Sequence, residues 1–171
     1  MTTELKNTIV ALEQGNSILY PTDTVWGLGC DATDEIAVSK IFQIKQRAES
    51  KSLIVLVSSI EMLHRHVTVP KKVIEIIKES NKPTTIIYNN PKGLASNVIA
   101  VDNTVAIRIV QHQFCNALIQ RFNKPIVSTS ANTSGNPTPK SFSEIQKTIL
   151  EAADYIVNLQ RQTITDKTST I

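Results

Sequence analysis

The chain has 171 residues, 41% of them hydrophobic and 19% charged, which is apolar material enough for one packed domain over residues 1–171 and too much for a disordered chain. Its net charge of +3 suits an anionic ligand, a nucleotide or RNA without selecting among them. The four Phe, three Tyr and one Trp interleave with no basic run, which leaves little for stacking unpaired bases.

Helices and strands alternate along the chain. Lys6–Gln14 reads as a helix ending at Gly15, and Ser17–Tyr20 as a short apolar strand stopped by Pro21. Asp34 caps a helix through Gln46, with Ala37, Ile41 and Ile44 along one face. Leu53–Val57 is a continuous apolar run, the mark of a strand buried on both faces. Pro70–Ser80 reads as a helix with Val73, Ile76 and Ile77 inward, and Thr84–Tyr88 as the next strand. Val105–Val110 alternates strictly, a helix follows from His112 through Phe122, and Ile126–Ser128 is a strand. Ser141-Phe142-Ser143-Glu144 spells a capping box for a helix reaching Ala153, and Tyr155–Val157 is a last strand. The pattern is that of an α/β protein, a sheet covered by helices.

No apolar window reaches the length of a membrane span, and Met1–Lys6 lacks the order of a signal peptide, so a cytoplasmic protein with no membrane partner is expected. Cys30 and Cys115 form no CxxC pair, and His64-Arg65-His66 has no further ligand at metal spacing; it reads as a surface loop. No metal site is expected from the residues. Gly27-Leu28-Gly29-Cys30-Asp31-Ala32 spells a dinucleotide fingerprint, but Pro21-Thr22-Asp23-Thr24 intervenes after the preceding strand and the next helix starts only at Asp34, which argues against a Rossmann unit.

Four stretches carry candidate chemistry. In Pro21-Thr22-Asp23-Thr24, Pro presets a turn and the Asp and Thr side chains bond to nearby backbone. Lys45, Gln46 and Arg47 close a helix with Lys51 four residues on. They serve either as a solvated cap or as a phosphate clamp, Lys as a point charge and Arg as a planar fork. Arg108 is a lone charge in an apolar strand with no acid beside it. It either faces solvent from an edge strand or meets the carboxylate of a ligand. Lys124–Pro139, KPIVSTSANTSGNPTP, gathers hydroxyls and amides at a strand end far more densely than a bland loop needs.

Taken in order, PTDTVWGLGCDA (Pro21–Ala32), KIFQIKQRAESKSLIVLV (Lys40–Val57), TVAIR (Thr104–Arg108), STSANTSGNPTP (Ser128–Pro139) and STI (Ser169–Ile171) resemble the YrdC-type threonylcarbamoyl-AMP synthases. The resemblance spans most of the chain. It implies a twisted mixed sheet with surrounding helices and a basic cavity. It also implies synthesis of threonylcarbamoyl-AMP from L-threonine, bicarbonate or carbon dioxide, and ATP, with Mg2+ bound mainly through ATP. A separate threonylcarbamoyl-transfer machinery, and tRNA itself, would be partners. Carried over by motif, Thr24, Arg108, Ser128 and Ser169 hold threonine. Arg47, Lys51, Thr104, Ser130, Asn132 and Thr138 hold ATP, and Lys45 and Arg47 serve the chemistry. Two other readings stand beside this one: a tRNA- or double-stranded-RNA-binding, translation-associated protein without synthase activity, and a carbamoyl-adenylate enzyme acting on another amine.

Overall fold

The computed structural model describes residues 1–48, 53–165 and 169–171. In chain order they form α1 (Thr2–Glu13), β1 (Ile18–Tyr20), β2 (Gly27–Gly29), α2 (Glu35–Lys45), β3 (Ile54–Val57), α3 (Ile60–His64), α4 (Lys71–Glu79), β4 (Thr85–Asn89), β5 (Thr104–Ile109), α5 (Gln113–Phe122), β6 (Ile126–Ser130), α6 (Lys147–Ala152) and β7 (Tyr155–Ile156). The strands join in one mixed sheet, in the order β4-β5-β3-β6-β2-β1-β7. β3 runs parallel to β5 and β7 parallel to β1; the other pairs are antiparallel. The mixed sheet and its helices match the expected architecture, and β5 is an interior strand.

In α2 and α5 capping and apolar spacing agree. Asp34 accepts from the Ile36 and Ala37 N–H groups at the start of α2, and Gln46 ends that helix in the left-handed region. His112 accepts from the Cys115 N–H to cap α5. The core combines Ala37, Val38, Ile41 and Phe42 of α2 with Phe114, Leu118 and Ile119 of α5 over the buried strands β1, β3 and β6. A smaller cluster gathers Leu19, Trp26, Ala131, Ile145 and Ile149.

Four expectations are corrected. Gly27–Gly29 is a strand pairing with β1 and β6. His64 ends helix α3 and His66 is buried with its Nδ1 2.9 Å from the Lys92 carbonyl, so only the exposed His64 and Arg65 keep the surface position expected of this stretch. On α4 the half-buried stripe is Val73, Ile74 and Ile77, while Ile76 is 47% exposed. The stripe centres on 73 and 77 and widens toward 74, because successive residues turn by about 100°. The helix expected from Ser141 to Ala153 is broken: a single 3-10 turn at Phe142–Glu144 precedes α6. Glu144 accepts from the Lys140 N–H at 2.6 Å, outside the capping-box pattern. Ile145 enters the smaller cluster and Gln146 turns its amide to another loop, as described below.

Candidate active site

Strand pairing sets the cavity floor. Ser128 lies opposite Ile54, Ile54 opposite Ala106, Arg108 opposite Leu56 and Thr85, and Ser130 opposite Gly27. Residues paired across a sheet share a face, as do residues two apart on one strand. Arg108, Ile54, Ser128, Ser130 and Gly27 therefore share one side of the sheet. Above them is a cavity of about 300 Å³ walled by Thr24, Val25, Trp26, Arg47, Leu53, Thr129, Thr138 and Ser169 as well.

Gly29 has no room for a side chain here and Gly27 has little. A Cβ on Gly29 would lie 2.1 Å from the Val127 carbonyl oxygen and 2.9 Å from the Tyr20 ring, and on Gly27 it would lie 3.2 Å from Ser128 Oγ. The Tyr20 hydroxyl, fully buried beneath, donates to that same Val127 carbonyl at 3.0 Å. Burial pushes its ionisation up.

Arg108 is 3% exposed. Its Nη2 donates to Asp23 Oδ1 at 2.9 Å, and the other Asp23 oxygen accepts from the Gln111 N–H at 3.0 Å. The Arg108 Nε is buried with no acceptor among the described residues. A solvent-facing edge position is thereby excluded. Asp23 was read as a turn former; the turn is made by Thr22, whose hydroxyl accepts from the Thr24 N–H at 3.0 Å and donates to the Val25 carbonyl at 2.7 Å.

The hydroxyl-rich segment leaves β6 and folds back over α2. Lys45 is 1% exposed, which excludes a solvated cap. Its ammonium donates to the carbonyls of Ser130 at 2.7 Å and Asn132 at 2.9 Å and to Asn132 Oδ1 at 3.2 Å. Burial, and then the Arg47 charge, lower its pKa to about 8. Asn132 passes the support on by donating to the Asn136 carbonyl at 2.6 Å. Gln146 Oε1 accepts from the Thr133 N–H at 3.0 Å and hydroxyl at 3.1 Å. At the other side, the Thr85 N–H donates to the Thr170 carbonyl at 2.6 Å and the Thr85 hydroxyl to Ser169 Oγ at 2.8 Å. That pairing carries Ser169 to the cavity wall.

Of the residues singled out in the sequence, Thr24, Arg47, Arg108, Ser128, Ser130, Thr138 and Ser169 meet at one cavity. Lys45 and Asn132 are buried behind it rather than in its wall. Thr104 begins β5 opposite Asn89, off the wall, with its hydroxyl donating to Asp102 at 2.6 Å. Lys51 lies outside the described residues. Asp23 and Gln146 were missed. Asp23 stood within a quoted motif and could have been sought as the counter-charge of Arg108, whereas nothing in the sequence ties Gln146 to Thr133.

A family model covering Sua5, YciO and YrdC proteins, described as telomere recombination, matches residues 10–171. The chain is 36% identical over 172 residues to the threonylcarbamoyl-AMP synthase of Pseudoalteromonas translucida, with 92% of this chain and 90% of that protein covered. It superposes on P. abyssi Sua5 complexed with L-threonine with a TM-score of 0.84 and 27% identity, covering 96% of this chain and 47% of that one. It thus spans about half the length of that solved protein. E. coli YciO shares the fold, with a TM-score of 0.85 at 20% identity, over 99% of this chain and 84% of that one.

Proposed function

The chain belongs to the Sua5/YciO/YrdC family, and from that membership we propose that it is an L-threonylcarbamoyladenylate synthase. It makes threonylcarbamoyl-AMP and pyrophosphate from L-threonine, bicarbonate or carbon dioxide, and ATP. The product supplies the threonylcarbamoyladenosine modification of tRNA through separate transfer machinery. The observation that carries this reading is one cavity holding two guanidinium groups, Arg47 and Arg108, among the hydroxyls of Thr24, Ser128, Ser130, Thr138 and Ser169.

The threonine amine adds to the carbon of carbon dioxide, forming an N–C bond and losing a proton to give a carbamate. A carbamate oxygen then bonds to the α-phosphorus of ATP. The bond from that phosphorus to its bridging oxygen breaks, and pyrophosphate leaves with the electron pair. Two anions must meet, so hydrogen-bond donors and fixed cations serve this step better than a nucleophilic side chain. Arg108 is assigned to the threonine carboxylate because its buried Nε has no acceptor among the described residues. Thr24, Ser128 and Ser169 complete that end of the cavity. Arg47, Ser130 and Thr138 are assigned to ATP, with Lys51, Thr104 and Asn132 added by motif. Holding the partners in register contributes up to ~7–11 kcal/mol in well-oriented systems. No three His, Cys, Asp or Glu gather into a metal-holding group among the described residues. Magnesium ligated by ATP oxygens and water would offset phosphate charge.

The test is incubation with ATP, bicarbonate and labelled threonine. Threonylcarbamoyl-AMP and pyrophosphate are expected in equal amounts, and only with threonine present. Pyrophosphate release independent of threonine would point to another amine. Salt-sensitive RNA binding without nucleotide turnover would replace the synthase by an RNA-binding protein.

A further inference from the structure

Lys45 is among the largest fully buried side chains of the molecule, and no carboxylate pairs with it among the ion pairs of the described residues. A buried ammonium is costly unless its protons are met. Here the acceptors are the carbonyls of Ser130 and Asn132 and the side-chain oxygen of Asn132, with Ser130 Oγ further off at 3.4 Å. All four belong to the segment that leaves β6. The Lys45 carbonyl accepts from the Ser134 N–H at 2.8 Å, so the same residue grips that segment at both of its ends.

We propose that Lys45 is a positioning residue, a buried template on which the Ser130–Ser134 loop is folded so that Ser130 faces the cavity, and that it touches neither substrate. The proposal deepens the synthase reading and rests on it for its kinetic consequences. The geometry gives the template two roles. Its three short bonds fix the backbone at Ser130 and Asn132, and Asn132 relays the constraint to Asn136. Its charge, set behind Ser130 and beside Arg47, favours an anion on the cavity side of the loop. Arg47 is the charged group that acts on the ammonium, and the lowered pKa of Lys45, about 8, agrees with a cation that lacks a carboxylate. Deprotonation removes one of the donors that the four oxygens share, so the amides of the loop sense the titration of Lys45.

Lys45→Met keeps an unbranched side chain, one heavy atom shorter, and removes the donors. Hydrogen–deuterium exchange of the substrate-free protein is the first readout. Peptides covering residues 128–137 should exchange at least tenfold faster in Lys45→Met, with α1 and α5 unchanged. In kinetics, the KM for ATP should rise about tenfold and kcat should fall, with the KM for threonine held within twofold. Lys45→Arg should recover part of both. Unchanged exchange in the loop would overturn the template, whatever the enzyme turns over. An equal rise in both KM values would overturn the assignment to the Ser130 side. Should Lys45→Met fail to fold, NMR of wild-type protein labelled at lysine Cε and at nitrogen decides. The Lys45 signal and the amides of Ser130, Asn132 and Ser134 should titrate with one midpoint. Amides that ignore the Lys45 titration would sink the proposal.

Discussion

Asp23 ties two places to one loop: its carboxylate takes the Arg108 guanidinium on one oxygen and the Gln111 N–H on the other. With Nη2 pinned, the rest of the planar fork is held in the cavity wall. A lysine at this position is a point charge, which Asp23 would draw away from a ligand. Arg108→Lys should therefore raise the KM for threonine by 10-fold or more, a loss of about 1.5–3 kcal/mol, and leave the KM for ATP nearly unchanged. Asp23→Asn should act in the same direction through Arg108. Steady-state kinetics with each substrate varied in turn separates the two effects. Ser128→Ala should raise the threonine requirement and Ser130→Ala the ATP requirement, each by about 0.5–1.5 kcal/mol. Equal responses of both substrates to both changes would argue against the division of the cavity. Arg108 was legible as the odd charge in an alternating strand. Its partner was not, because it lies 85 residues away in sequence.

At the scale of elements, β2 is the piece that pattern reading could not find. Three residues, two of them glycine, give no periodicity to read. Their identity follows from the approach of β6 and Tyr20, which leaves no room for a Cβ on Gly29. Gly29→Ala must push the Val127 carbonyl away from Tyr20 and open the β2–β6 pairing. It should cost about 3 kcal/mol, the upper end of ordinary overpacking, measured as a lower midpoint in urea unfolding. A loss below about 0.5 kcal/mol would mean that β2 is more pliable than this geometry allows. Helix α2, by contrast, was readable to within a residue or two, since Asp34 caps it locally and its apolar face repeats. The break before α6 was not readable. Local capping chemistry lost there to two tertiary demands, Ile145 in the smaller cluster and Gln146 on Thr133.

For the whole molecule, the buried titratable groups oppose one another above neutral pH. Lys45 is lowered to about 8 from 10.5, so between those values the unfolded chain holds the extra proton and stability rises with pH. Cys30 and Cys115 are raised above 9.0 by burial, so above pH 9 the unfolded thiols ionise first and stability falls. Tyr20, Tyr88 and Tyr155, all raised from 10.0, add to the fall above pH 10. Each uncompensated proton is worth about 1.4 kcal/mol per pH unit. Thermal melts should show stability level or rising from pH 8 to 9 and falling steeply above 10. Lys45→Met should remove the rise. A steady decline beginning at pH 8 in the wild-type protein would contradict the direction assigned to Lys45.

Composition, capping residues and apolar runs determined that this chain is a mixed α/β protein, and they placed most of its helices and strands, because those signals act over a few neighbouring residues. The sequence also held the motifs that mark the cavity, and Thr24, Arg47, Arg108, Ser128, Ser130, Thr138 and Ser169 do meet there. Tertiary structure alone decided how they are held. Arg108 became an interior cation only when β5 was placed between β3 and β4. Lys45 became a buried support rather than an exposed cap only when the segment after β6 folded over the end of α2. Ser169 reached the wall only through pairing beside β4. In each case burial and long-range partners set the role of the charge or hydroxyl, and both arise when distant strands are brought side by side.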